Sequence, residues 1–103
     1  MLEPVSLTPK AAEEVQHIMN GKKIPEGYAL RIAVKGGGGC GGAQYILGFD
    51  KPKDGDLSYK HSNIPILVEK KQAMYLLGLQ VDFYEGNDAR GFMFTKPEAE
   101  VRG

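Results

Sequence analysis

Six glycines surround the only cysteine of the chain in a run of seven residues. Glycine loses more conformational freedom on folding than any other residue, so such a run is unfavourable inside a helix or a strand. It suits backbone with positive φ angles, or main-chain N–H groups that closely approach a bound group. The run therefore predicts a loop with one thiol at its centre. Its residues are Gly36, Gly37, Gly38, Gly39, Cys40, Gly41 and Gly42.

Apolar residues recur at every second position on both sides of this glycine loop. They are Leu30, Ile32 and Val34 before the loop, and Tyr45, Leu47 and Phe49 after it. A period of two is the period of a β-strand. The two segments therefore predict two strands, joined either as a wide hairpin or as a crossing between sheets.

Short alternating segments separated by turn residues occupy much of the remaining chain. Together they predict about seven strands, at residues 5–7, 28–35, 43–49, 57–61, 64–69, 79–84 and 91–95. Pro65 lacks a backbone N–H, and it predicts an edge position for its strand.

Two helices complete the prediction. Thr8 followed by Pro9 is a typical helix start, and an apolar stripe continues to about residue 20, with Gly21 as the expected stop. A second, short helix is expected at residues 70–77, with Ala73, Met74 and Leu77 facing inward. The fold class is therefore mainly β, a β-rich α+β domain with a sandwich-like core. At 103 residues, the chain from 1 to 103 is expected to form one domain. We expect its tail, residues 98–103, to be mobile.

Composition excludes several classes of function. Thirteen basic and thirteen acidic residues cancel, which removes the main electrostatic reason to expect nucleic acid or an anionic membrane as a partner. No apolar run approaches the length of a membrane span, and the N-terminal residues do not resemble a secretory signal. One cysteine allows no internal disulfide, so we expect a reducing, cytoplasmic setting.

Phosphate binding and thiol catalysis both lack their usual companions here. A phosphate-binding loop ends in Gly-Lys-Ser/Thr and opens a helix, whereas the residues after Gly42 follow a strand pattern. The dinucleotide-binding fingerprint fails for the same reason. A catalytic cysteine needs a base, and nothing in their spacing requires His17 or His61 to approach Cys40.

Metal binding remains open in one form. A closed zinc site needs four Cys or His ligands, and the chain has three such residues in all. Shared ligation is different, because glycine N–H groups, with Lys35 nearby, stabilise a thiolate, and a thiolate suits iron. The alternative is that the loop is a tight turn and Cys40 a small buried apolar residue.

Four stretches of the chain are similar to the A-type iron–sulfur carrier family, whose fold is the HesB-like domain. They follow in family order and spacing from residue 5 to residue 97: VSLTPKAA at 5–12, LRIAVKGGGGCGG at 30–42, YLLGLQVDF at 75–83 and GFMFTKP at 91–97. The resemblance implies a compact, mainly β domain that forms dimers or tetramers. It also implies a protein that is not an enzyme, and that binds iron or an iron–sulfur cluster between subunits and passes it to apo-proteins.

Carried over by position, the family's loop cysteine corresponds to Cys40. The family's other two ligands belong to a Cys-Gly-Cys near the C-terminus, and residues 98–103 read Glu-Ala-Glu-Val-Arg-Gly instead. The resemblance then implies a degenerate carrier that holds iron or a labile cluster, [2Fe–2S] rather than [4Fe–4S], through Cys40. An interaction module without metal, which docks on assembly machinery or apo-proteins, is the alternative.

Overall fold

The computed structural model describes residues 3–36 and 43–95. These residues form seven strands: β1 (Val5–Leu7), β2 (Ala29–Gly36), β3 (Ala43–Asp50), β4 (Asp56–His61), β5 (Ile64–Glu69), β6 (Leu79–Glu85) and β7 (Arg90–Thr95). The two helices are α1 (Pro9–Gly21) and α2 (Ala73–Leu76), and a 3₁₀ turn (Lys70–Gln72) leads into α2. The predicted number and order of elements are confirmed.

The strands form two sheets. One has three strands in the order β1-β6-β7, and the other has four in the order β3-β2-β5-β4. Apolar side chains from both sheets and both helices form one core; among the largest fully buried are Ile32, Ile66, Leu76, Leu79 and Val81. The sandwich-like, mainly β architecture is therefore confirmed.

Helix α1 begins as the sequence predicts but ends differently. The Thr8 hydroxyl accepts a hydrogen bond from the Ala11 N–H at 3.1 Å, and Pro9 occupies the first turn. At the other end, Gly21 is still helical, and Lys23 takes the left-handed conformation with φ 54°. The Ile24 N–H then reaches back to the Met19 carbonyl at 3.0 Å, which closes a Schellman motif. The helix therefore ends close to the predicted position, but the left-handed residue that terminates it is Lys23 and not Gly21.

The second helix is shorter than predicted, and of the three residues predicted to face inward only Ala73 is buried. Its 3₁₀ turn passes into α2, which places Ala73 and Leu76, three residues apart, on the inner face. Met74 and Leu77 are 79% and 49% exposed, so the prediction that they face inward is wrong. Leu77 already has extended backbone ahead of Gly78, whose φ of +87° begins the turn into β6.

Pro65 does not mark an edge strand. Strand β5 lies between β2 and β4, so the edge prediction is wrong. The parallel ladder between β2 and β5 consists of only two pairs, Leu30 with Ile66 and Arg31 with Leu67. Pro65 precedes this ladder, so its missing N–H interrupts no part of it.

Candidate metal centre

The glycine loop connects strand β2 to strand β3, and these two strands form a long hairpin. Strands β2 and β3 pair antiparallel over their full length, from Ala29 opposite Asp50 to Gly36 opposite Ala43. The wide-hairpin interpretation is therefore confirmed, and the crossing between sheets is excluded. Cys40 and the glycines of residues 37–42 lie outside the described residues, so their predicted ligand role stays a prediction. The structure does describe the frame that carries them, which is the pair of strands β2 and β3 and the elements packed around it.

A glutamine side chain holds the loop end of β2. The Gln72 amide accepts from the Val34 N–H at 3.1 Å and donates to the Val34 carbonyl at 2.9 Å. Both backbone groups of Val34 face the side on which β5 has already stopped pairing, and the carboxamide takes the place of a strand there. Gln72 therefore fixes β2 two residues before Gly36.

We expect Gln72→Ala to loosen this end of the hairpin selectively. Two partly buried backbone groups lose their partners, which should lower the free energy of unfolding by about 1–2 kcal/mol. Hydrogen exchange at the Val34 amide should become faster. Gln80→Ala, at an exposed position on β6, is the matched control and should leave both measurements unchanged. Unchanged protection of the Val34 amide in Gln72→Ala would contradict the assignment.

The opposite end of the hairpin is held by charge. The Arg31 guanidinium donates to Asp50 Oδ2 at 2.9 Å, to Asp56 Oδ1 at 2.9 Å and to Asp56 Oδ2 at 2.6 Å. The side chain of Asp56 is only 4% exposed. Hydrogen bonding to Arg31 is the main cause that lowers the pKa of Asp56. For Asp50 the main cause of a lowered pKa is the Lys51 backbone N–H. The network ties β2, β3 and β4 together at the end remote from the glycine loop.

This network predicts a dependence of stability on acid. Because the folded pKa of Asp56 lies below its ordinary value of 3.8, its contribution is complete above that pH and is lost as the pH falls further. Asp56→Asn should lower the free energy of unfolding at neutral pH by roughly 1–3 kcal/mol and flatten its decline below about pH 4. Denaturant titrations across this range measure both effects. Asp54→Asn, at an exposed site in the same turn, should behave like wild type.

Strand β7 lies against the loop end of β3. The rings of Tyr45 and Phe94 are 5.3 Å apart between centroids, and Tyr45 is two residues from Ala43. The C-terminal ligand pair that the family resemblance leads us to expect would follow β7, which ends at Thr95. Residues 96–103, with the tail expected to be mobile, lie outside the described part of the chain.

The described strands and helices do not place either histidine at the loop end of the hairpin. His61 pairs with Ile64 at the start of β5, and the start of the parallel strand β5 lies beside the start of β2. Gly36, in contrast, is at the end of β2. His17 is exposed on α1 and lines a cleft with Ser62 and Ile64, so it also lies near the start of β5. This placement weakens the thiol-catalysis alternative, because neither histidine is directed toward the loop by its strand or helix.

Within residues 3–36 and 43–95, no three His, Cys, Asp or Glu residues are grouped so that they could hold a metal ion. In the same residues, no helix has the length and apolar content needed to cross a membrane.

A sequence profile described as "Iron-sulphur cluster biosynthesis" matches residues 4–101. The chain belongs to this family. Among its relatives, the iron–sulfur cluster insertion protein ErpA of Glaesserella parasuis is 34% identical over 100 residues, which is 96% of this chain and 87% of the relative. ErpA of Haemophilus ducreyi is 36% identical over 97 residues, 93% of this chain and 83% of the relative.

Solved structures agree with the family assignment. Escherichia coli SufA, involved in biosynthesis of iron–sulfur clusters, superposes with a TM-score of 0.74 at 26% identity, covering 95% of this chain and 90% of SufA. IscA with a [2Fe–2S] cluster gives 0.72 at 29% identity, covering 91% and 86%. The resemblance to the A-type carriers, the HesB-like fold and the expectation of a protein that is not an enzyme are confirmed by these relatives.

Proposed function

We propose that this chain is an iron–sulfur cluster assembly accessory protein that binds iron or a [2Fe–2S] cluster through Cys40 at a subunit interface. The observation that carries the proposal is the single thiol of the chain, located between the paired ends of β2 and β3, in a family of cluster biosynthesis proteins. IscA has been solved with a [2Fe–2S] cluster, which favours that cluster here. Apo iron–sulfur proteins or assembly machinery would be its partners.

The number of thiols determines what kind of site this can be. A cluster is usually held by four protein ligands, and each 103-residue chain offers one cysteine. Two chains supply two thiolates, so small thiols, carboxylates or cysteines of a partner protein must supply the others. Binding should therefore be weaker and more labile than in a carrier with three cysteines, which is the sense in which this carrier is degenerate.

Anaerobic reconstitution with iron and sulfide tests the proposal. We expect visible absorption bands of a cluster in the presence of glutathione, weaker bands without it, and rapid loss of both to an iron chelator. Glutathione acts here as the exogenous thiol. A complete lack of bands under both conditions would contradict the proposal.

The shortage of thiols also favours a second candidate, an interaction module that binds no metal. In that case the fold docks on assembly machinery or apo-proteins, and Cys40 plays no part. Pull-downs with wild type and Cys40→Ala separate the two candidates. The same partners in both would support the module, and partners lost with the thiol would support the carrier.

A further inference from the structure

We propose that the outer edge of β3 is an interaction surface for a second copy of this chain, which pairs with it as an antiparallel strand centred on Leu47. This pairing is independent of metal binding, and it would extend the four-stranded sheet across two subunits.

Backbone direction follows from the Gln72 contact. Because the N–H and carbonyl of Val34 both point to Gln72, Val34 and Tyr45 do not exchange hydrogen bonds, and the polar backbone groups of Tyr45 point away from β2. The same holds for Leu47 and Phe49 by the period of two. Strand β3 ends the sheet order, and no strand among residues 3–36 and 43–95 pairs with this edge.

The edge is complementary to itself. In an antiparallel pair centred on Leu47, the edge-facing groups of Tyr45 meet those of the partner's Phe49, and Leu47 meets its own copy. Ile46, 43% exposed, then lies directly opposite the partner's Gly48 in a pair without hydrogen bonds, where side chains are closest. The only charged residue of β3 is Asp50, which would lie opposite an uncharged glutamine, Gln44.

A hollow of about 170 Å³ lies over Gly48, where the strand has no side chain to fill it. Its walls are Arg31, Ala33, Ile46, Gly48, Phe49 and Asp50. In the proposed pair, each Ile46 would enter the hollow of the other subunit, so the contact is made twice by symmetry. Ile46 and Gly48 are thus complementary across the proposed interface, because Ile46 exposes an apolar side chain and Gly48 leaves room for it.

The remaining edges carry features that oppose such pairing. Strand β4 presents Lys60 and His61, and β7 is two residues shorter than β3 and begins with Arg90. At β1, the hydroxyl of Tyr59 already bonds both backbone groups of Val5. By contrast, residues 44–49 of β3 contain neither a charge nor a proline. Natural proteins use such charges to protect sheet edges, and β3 lacks them.

This interface differs from the one proposed for the cluster. With Leu47 at the two-fold axis, Ala43 and its copy are eight residues apart along the strands, about 26 Å at 3.3 Å per residue. The two loop ends therefore point in opposite directions, and a cluster shared between two Cys40 thiols needs another contact. Both contacts together would give a tetramer.

Sedimentation equilibrium of the metal-free protein tests the pairing. Wild type should dimerise, and Gly48→Val should raise the dissociation constant by roughly tenfold or more, because the added side chain occupies the place of the partner's Ile46. A Cβ at Gly48 meets no atom within 4 Å in the single chain, so the variant should fold normally. Ile46→Lys should act in the same way.

Two controls make the outcome decisive. Met93→Lys changes an apolar residue of similar exposure, 45%, on β7 and should leave the dimer intact. Cys40→Ser should also keep the dimer, so a failure of metal binding and a failure of pairing can be distinguished. Hydrogen exchange at Tyr45, Leu47 and Phe49 should be slow in wild type and fast in Gly48→Val. A monomeric wild type, or a dimer that survives Gly48→Val and Ile46→Lys, would overturn the proposal.

Discussion

Cys40→Ala should abolish cluster binding on reconstitution with iron and sulfide, with or without glutathione. No other thiol exists in the 103 residues to replace it. The proposed role of Cys40 is ligation and not packing, so the variant should unfold at the same temperature as wild type. Visible absorption and iron content per chain measure the loss.

The matched control for this variant is Cys40→Ser, which keeps the size of the side chain and replaces the soft sulfur by a harder oxygen. We expect it to bind little or no cluster, since the proposed role depends on a thiolate and not on the shape of the loop. Cluster bands of wild-type strength in either variant would remove Cys40 from the site. A lower unfolding temperature would instead support the reading of Cys40 as a buried structural residue.

Tyr59→Phe should have the largest effect on stability. The hydroxyl of this buried tyrosine donates to the Val5 carbonyl at 2.7 Å and accepts from the Val5 N–H at 2.9 Å, which joins β4 to β1. Removing it leaves two buried backbone groups without partners, each worth roughly 1–3 kcal/mol. Denaturant unfolding should therefore show a loss of about 2–6 kcal/mol.

The same tyrosine predicts a response to alkaline pH. Burial raises the pKa of Tyr59 from 10.0 to about 12. Its contribution is therefore complete below pH 10 and is lost as the pH rises toward about 12. Tyr59→Phe should lose less stability than wild type over this interval. Tyr84→Phe, on an exposed ring, is the control and should change neither the stability nor its pH dependence. Equal losses for both variants would contradict the role of the Tyr59 hydroxyl.

The hairpin that frames the candidate site could be predicted because its signal is local. Alternation of apolar residues on either side of six glycines predicts two strands and a loop, and the register from Ala29 to Asp50 agrees with that prediction. Thr8 and Pro9 predict the start of α1 for the same reason, since a helix cap depends on neighbouring residues.

Contacts that fix the hairpin and join the two sheets could not be predicted, because they connect distant positions through single polar groups. Gln72 lies 38 residues from Val34, and Tyr59 lies 54 residues from Val5. The spacing of residues along the sequence does not indicate which polar side chain will form hydrogen bonds with which backbone groups. The second helix shows a different limit of sequence-based prediction. Met74 and Leu77 have the spacing of one α-helical face, but the segment begins as a 3₁₀ turn before it becomes α-helical. The residues on its inner face are therefore Ala73 and Leu76.

The most direct test of the central claim is the mass of the reconstituted protein under native, anaerobic conditions. A site with one thiolate per chain predicts two chains per cluster, in a dimer or in the tetramer expected if β3 also pairs, together with two small thiols or their equivalent from a partner. Native mass spectrometry resolves these compositions, and Cys40→Ala should give only metal-free species. A cluster bound to a single chain, or retained by Cys40→Ala, would contradict shared ligation through Cys40.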